Sequence, residues 1–588
     1  MLKPTLFLQP GLMVSMSDLN SNFNTLTTMK YFIKTQKIIF GLFLLIGLVS
    51  ACTKDFEEIN TNPNSPVDVP AINIFTNAIN AATGLELGGW IQHTYLGVWC
   101  QQWCKVQYID EDRYMPRDMS GYFNAPYTGA LQNCAIVIDK TTEEGDDRLL
   151  AAAKVLRAWE YMYLTDVWGD VPYSEAMQGF DVDGTLYPKY DTQESIYNAL
   201  LAELEQANVL LTGTTVNFGA GDLIYGGDPV MWRKFANSLK LRLLNRAAGT
   251  PWSFTYDMAG TQADVTTTAG AAAMSNADAE IAKILGDPAT YPIFESNDDN
   301  ATQYYPGLPY RNPIYSTLYS RTDQAISETM VDWLLERNDP RIHVYAQPTP
   351  NSVAAGTPEY VGFQNGRAIT SAPFPAVSLL GIQIAYTETQ PTYILTYDEV
   401  EFIKAEYYLR VGQDGPARIA YEAGIEASME RWGLADGSVA YPTWGDSFGS
   451  ESAATGQTVD YTAYLADPLV DWTAAADDAH KFQLICEQRW AAIFGQGVQA
   501  YCEVRRTGFP ARIFEYELEG AYYPNMGLPI RLQYALQEET YNTDQLAAAK
   551  AAQNVEVANE GMFSTNGTTS QVWWNTRKNP IPTETDVL

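Results

Sequence analysis

Aromatic rings set among amides and carboxyls are the residues of this chain best placed to do chemistry, and that chemistry is recognition. Trp90, Trp99, Trp103 and Tyr108 lie near the start of the fold, Tyr304, Tyr305 and Tyr310 in the middle, and Trp444 later. The C–H faces of a sugar or another apolar group stack on such rings, while Asn and Asp side chains bind hydroxyls. Asp298 and Asn300, in the run Asn297-Asp298-Asp299-Asn300, stand beside Tyr304 to supply the polar contacts. Each ring also has a plainer reading as core packing or contact with a partner. The stretch from Trp90 to Trp103 fits a helix, where a Trp stripe is more often core.

Catalytic chemistry is poorly supplied. His93, His343 and His480 are far apart and form no HExxH or His-x-His pair. A His-based metal site or a Ser-His-Asp triad therefore has little support. Asp181-Val182-Asp183-Gly184 and the 297–300 run offer hard oxygen ligands to calcium, but neither completes an EF-hand loop. A solvated acidic turn is the plainer account. With 70 acidic residues, carboxyl pairs at glycosidase spacing arise by chance. A surface glycoside hydrolase thus stands as a rival reading, and a structural or adhesive lipoprotein as a second.

The chain carries an address. Lys30, Lys34 and Lys37 precede an apolar run from Ile38 to Val49, too short for a spanning helix of ~20 residues. The run ends on Val49-Ser50-Ala51-Cys52, small residues before a Cys that suit lipoprotein signal peptidase. Acyl chains on Cys52 would hold the protein durably to a membrane. Thr53-Lys54-Asp55-Phe56-Glu57-Glu58 resembles the acidic signal that sends lipoproteins to the outer face of the outer membrane. The expected division is an upstream extension over 1–28 with Met29 as initiator, a signal peptide over 29–51, a lipidated tether over 52–70, and one domain over 71–588.

Composition narrows the classes further. A net charge of -33 over 588 residues repels phosphate backbones and argues against nucleic acid and against a basic lipid-binding patch. Beyond Cys52 there are five cysteines, Cys100, Cys104, Cys134, Cys486 and Cys502; Cys100 and Cys104 are four apart, which is not CxxC, and there is no second pair at zinc spacing. Buried thiols, or one structural disulfide, account for them.

The elements that position these residues are mainly helical. Ile196, Leu200, Leu204, Ala207 and Leu211 form one apolar stripe, and Leu149 to Trp168 is apolar on nearly every side. Met231–Arg246 places Trp232, Phe235, Leu239 and Leu243 on one face, with Arg233, Lys240 and Arg246 elsewhere. Further helices are expected over 398–410, 417–431 and 481–494. Long irregular stretches separate them at 105–128, 249–323, 346–392, 433–475 and 508–537. Loops of such length are uncommon unless functional. The helices pair through short connections without a clean 34-residue repeat.

An ordered series of motifs carries a family resemblance. After Asn60-Thr61-Asn62-Pro63-Asn64 come Arg157-Ala158-Trp159, Asp166-Val167-Trp168-Gly169-Asp170-Val171-Pro172-Tyr173, and Pro188-Lys189-Tyr190-Asp191. Trp232-Arg233-Lys234-Phe235-Ala236-Asn237-Ser238-Leu239, Asp339-Pro340-Arg341, and Tyr397-Asp398-Glu399-Val400 with Ala405-Glu406 follow. Glu487-Gln488-Arg489-Trp490, Arg505-Arg506-Thr507-Gly508 and Trp573-Trp574 complete the series. In this order they resemble the SusD/RagB family, with Ala535 where the family usually has Pro after Tyr534. The resemblance implies four tetratricopeptide-like helix pairs with a loop-rich half carrying the ligand site. It implies a surface-exposed outer-membrane lipoprotein without catalytic activity. It also implies glycan, or in some members peptide, as ligand, and a SusC-like TonB-dependent barrel as partner. Most of the motifs read as structural, with Asp166, Asp170, Arg505 and Arg506 neutralising one another where helix pairs meet loops.

Overall fold

The computed structural model describes residues 34, 69–88, 91–179, 184–250, 276–367, 375–437, 443–444, 451–452, 458–515, 521–523, 526–564 and 569–575. The chain divides into two compact units, Met1–Val69 and Pro70–Leu588. Only Lys34 and Val69 of the first are described, so the account concerns the second. Among the described residues, no helix is long and apolar enough to cross a membrane.

Among the described residues, the longer helices of the second unit are α1 Ala71–Glu86, α2 Gln132–Glu144, α3 Asp147–Trp168, α4 Gln193–Leu210, α5 Pro229–Ala247 and α6 Asn276–Gly286 in the first half. The second half has α7 Glu328–Glu336, α8 Tyr397–Arg410, α9 Asp414–Arg431, α10 Asp478–Ala492, α11 Gly497–Thr507 and α12 Thr543–Ala552. They stack as pairs, α2 on α3, α4 on α5, α8 on α9 and α10 on α11, and α3, α8 and α5 also pack on helices of neighbouring pairs. The fold is predominantly α-helical, with tetratricopeptide-like pairs.

Local chemistry sets the ends of the pairs. Gly145, at φ 73°, closes α2, and the Asp146 side chain accepts from Arg148 N to open α3 two residues later. Asp228 accepts from Val230 N, with Pro229 in the first turn of α5. Gly169 ends α3 at φ 83°, where a Cβ would clash with Gln553 Oε1.

Between the pairs run short antiparallel ladders. Strands β1 (Trp103–Lys105), β2 (Val171–Pro172), β3 (Tyr190–Asp191), β4 (Ala301–Gln303), β5 (Gln324–Ile326) and β6 (Thr392–Leu395) pair as β1 with β5, β2 with β3, and β4 with β6. Within the stretch 90–103, expected to fit a helix, the described residues form a π-helical segment at Ile91–Leu96 and one α-turn at Gly97–Trp99, and then enter β1. The stretch 249–323, expected to be irregular, contains α6, whose Ala277, Ile281 and Ile284 stripe is only a few turns long.

The pairs are also held by buried charge. Of the basic residues expected off the packed face of α5, Lys240 and Arg246 are enclosed, paired with Glu205 and Asp166, while Arg233 is half-buried; Arg242, which the stripe did not single out, is enclosed against Glu399. Arg489 bridges Glu399 at 2.9 Å and Glu503 at 3.1 Å, and Arg506 bridges Glu406 at 2.6 Å and Glu503 at 2.7 Å. Burial alone would raise these carboxyls. The guanidiniums around Glu399, Glu406 and Glu503 outweigh it and hold all three below the ordinary range. The expected mutual neutralisation of Asp166, Asp170, Arg505 and Arg506 is replaced by other partners. Asp166 takes Arg246, Tyr197 and Trp574, while Arg505 donates to the carbonyls of Asp166 and Ile530. Asp170 accepts from Gln193 N at 2.9 Å. The five cysteines from Cys100 to Cys502 are free and buried.

Candidate ligand-binding site

The segment from Ser296 to Asp323 builds a ring-bearing face on a fixed frame. Its entry is a capping box, in which the Ser296 side chain accepts from Asp298 N and Asp299 accepts from Ser296 N. Asp299 is further tied to Lys234 Nζ at 2.9 Å, and Asn300 Oδ1 accepts from Tyr397 N at 2.6 Å. Strand β4 then pairs with β6, and Gln303 donates to Asn80 of α1. A tight turn follows through Gly307, at φ 90°, where a Cβ would press Glu388. Asn312 caps the helix Pro313–Leu318, its Oδ1 accepting from Ile314 N and Tyr315 N.

From this frame the rings project outward. Tyr304 and Tyr310 are each 68% exposed and Leu308 is 70% exposed. The Tyr315 and Tyr319 rings stack at 5.2 Å and 23°, with Arg311 over Tyr315 and ion-paired to Glu388 at 2.8 Å. Exposed rings on a folded chain lose hydrophobic burial, and several of them in one segment point to an interaction face. At the far end Arg321 grips Asp323 through two bonds of 2.7 Å. Burial would raise the Asp323 carboxyl, but Arg321 and Lys105 outweigh it and hold it low. Tyr108, 70% exposed, lies close enough for its hydroxyl to act on Arg321.

A small cavity of about 30 Å³ opens at the foot of this face, lined by Asn312, Ile314, Thr392, Tyr393, Trp432 and Gln496. Trp432 Nε1 and both ends of the Gln496 amide are buried there with no hydrogen-bond partner among the described residues. Buried polar atoms are nearly always satisfied, so these three suit water or a ligand hydroxyl. Burial raises the Tyr393 hydroxyl; Arg431 opposes the rise and neighbouring Tyr304 adds to it.

The residues expected from sequence fall into distinct settings. Tyr108, Asp298, Tyr304 and Tyr310 are exposed at the surface. Trp99 and Trp103 are 1% exposed: Trp99 donates to Glu111 O and packs on Tyr95, Tyr114 and Tyr501, while Trp103 lies in β1 against Phe494. Tyr305 is buried, its hydroxyl 3.0 Å from Thr392 Oγ1, and Asn300 is committed to the Tyr397 amide. Trp90 and the side chain of Trp444 lie outside the described residues, as do Asp181, Val182 and Asp183 of the calcium reading. In the second calcium candidate, Asp299 and Asn300 are already engaged by protein donors. Among the described residues, no group of three or more His, Cys, Asp or Glu could hold a metal ion. The sequence reading passed over Leu308, Tyr315, Tyr319, Trp432 and Gln496. The i, i+4 spacing of Tyr315 and Tyr319 after an Asn-Pro start was the available signal for one stacked pair.

Comparison with known proteins places this architecture. A family model described as SusD-like, starch-binding and associating with outer membrane, matches residues 63–535. No curated protein matches the chain. A SusD homologue from Bacteroides fragilis is 21% identical, covers 86% of this chain and 99% of its own, and superposes with a TM-score of 0.65. A chitin-binding SusD homologue from Flavobacterium johnsoniae is 23% identical, covers 87% and 99%, and also scores 0.65. At such identity these two structures speak to the fold.

Proposed function

Since the chain belongs to the SusD-like family, shown by the match over residues 63–535, we propose that it captures a glycan at the cell surface and acts as the lid of a SusC-like TonB-dependent barrel. The family is one of outer-membrane nutrient-binding proteins without catalytic activity, and this chain is a binding protein, not an enzyme. Capture falls to the face carrying Tyr304, Tyr310 and Tyr319, with Tyr108 at its far end. Sugar rings stack on the tyrosines, and hydroxyls reach Asp298, Arg311 or the unsatisfied amide of Gln496. The single observation that carries this reading is the set of three exposed rings, Tyr304, Tyr310 and Tyr319, in one segment whose backbone is pinned by β4, β6 and Asn312.

Several outside facts agree with a glycan. The family description names starch, and one structural relative is a chitin-binding protein. The lipobox-like Cys52 fits attachment at the outer membrane, and the lid role adds closure over the barrel so that the ligand is enclosed between two proteins. Energy for import then comes from the barrel's own coupling. The test is calorimetry on the soluble form from Thr53 with starch and chitin oligosaccharides, alongside product analysis and co-purification of the full chain from outer membranes. Binding without hydrolysis, with a TonB-dependent barrel co-purifying, is the expected result. Absence of both binding and barrel would refute the reading.

A further inference from the structure

A second cavity, of about 400 Å³, lies away from the face just described, between the start of α2, the β2–β3 ladder and the segment leading into α12. Its volume falls within the ~300–1,000 Å³ of small-ligand sites. Its wall combines aromatic and apolar side chains, Phe123, Tyr127, Met177 and Leu186, with the polar Glu538 and Asn542. The frame is fixed: Tyr127 donates to Pro172 O at 2.8 Å, β2 pairs with β3, and Tyr190 donates to Glu538 at 2.8 Å. Two side chains of its rim, Leu186 and Tyr541, are 72% and 69% exposed, and Tyr187 beside them is exposed too.

The amide of Asn542 gives the cavity its chemistry. Its Nδ2 donates to Pro188 O at 2.9 Å and faces Glu538 at 3.4 Å, so two acceptors fix which end is nitrogen. Oδ1 is left buried and without a donor among the described residues, although the residue is 5% exposed. An unmet acceptor beside rings calls for a flat ligand that brings its own hydroxyl donors.

We propose that this cavity is a second carbohydrate site, which stacks a neutral oligosaccharide on Tyr127 and Tyr541 and takes one of its hydroxyls at Asn542. The proposal rests on the glycan reading above and adds to it a second point of attachment. Two sites on one chain raise the local concentration of a polymer at the first.

The test uses the soluble form from Thr53, with maltohexaose and chitohexaose as probes. Thr128 sits exposed at the cavity wall, so Thr128→Trp fills the mouth without removing core packing, and Tyr541→Ala removes a rim ring. In a Tyr304→Ala/Tyr310→Ala background, residual binding of whichever probe the unmodified protein takes is expected. Adding Thr128→Trp abolishes that remainder, and adding Tyr541→Ala weakens it at least fivefold, at an unchanged unfolding midpoint. If the unmodified protein binds but the background variant retains nothing, or both added changes leave the remainder intact, the second site is refuted while the first stands. If the unmodified protein binds neither probe, the glycan reading falls and this proposal with it.

Discussion

The helix pairs and the ring-bearing face use similar residues to opposite ends. In the pairs, Trp159, Trp168, Trp232 and Trp490 are enclosed, as is Trp99 against Tyr501 of α11, and Arg242, Arg246, Arg489 and Arg506 are locked to carboxyls. On the face, Tyr304, Tyr310 and Tyr319 stand in solvent and Arg311 lies over a ring. The difference lies in what each region can afford to lose. Charges inside the pairs are already desolvated, so each depends on its partner. The exposed rings of Tyr304 and Tyr310 keep most of their apolar surface in solvent, and that surface is available to a ligand.

The sharpest way to break this comparison is to truncate one member of each region. Arg246→Ala strands Asp166 in the core, and Trp99→Ala empties a packed site. Each should cost about 3–5 kcal/mol in urea unfolding. Tyr304→Ala should stay within about 0.5 kcal/mol of the parent. A large stability loss in Tyr304→Ala would remove the distinction between the two regions.

Binding should show the reverse order. Tyr304→Ala and Tyr310→Ala are each expected to weaken oligosaccharide binding by about 1–2 kcal/mol, roughly five- to thirtyfold, by calorimetry. Variants of the buried pairs that still fold should bind as the parent does. Arg242→Lys, which keeps the charge, serves as that control.

Acid and base sensitivity separates charges within the core. Burial pushes the Glu160 carboxyl up from 4.5 to about 8, and burial and Glu160 together push up Glu86. A proton held by Glu160 in the folded chain stabilises it fully below about 4.5, and that stability is lost as pH rises through about 8. Glu399, Glu406 and Glu503 are held low, so their stabilisation is present above the unfolded carboxylate value and lost as pH falls. The unfolding midpoint should therefore drop between pH 6 and 8.5, and Glu160→Gln should flatten that drop. A parallel profile in the variant would contradict the assignment.

The smallest expected effect concerns the thiols. Burial raises Cys100, Cys104, Cys134 and Cys486 well above an ordinary thiol, and raises Cys502 against the opposing pull of Arg246 and Arg505. The native soluble form should be inert to a thiol reagent and react only on unfolding. Reductant should leave its midpoint unchanged.

Much of the fold was legible because long apolar stripes need a partner surface: the helices over 149–168, 398–410 and 417–431 lie within a few residues of where their periodicity puts them. The basic residues of α5 were not, since a Lys or Arg off an apolar stripe reads as solvent-facing until its acidic partners from distant segments are known. Asp166 and Arg246 are 80 residues apart, and no local pattern couples them. At the site, aromatic composition pointed to Tyr304 and Tyr310 but could not separate them from Trp99 and Trp103, because exposure depends on long-range packing. Gln496 and Asn542 were invisible for the same reason: an unmet amide is a property of its surroundings.

The most direct test is a paired titration of the soluble form from Thr53 and its Tyr304→Ala/Tyr310→Ala variant with the same starch and chitin oligosaccharides, with unfolding midpoints measured on both. The account predicts that the variant binds at least tenfold more weakly at an unchanged midpoint, with no hydrolysis products from either protein. Equal binding by the two proteins, or products formed by the parent, would contradict it.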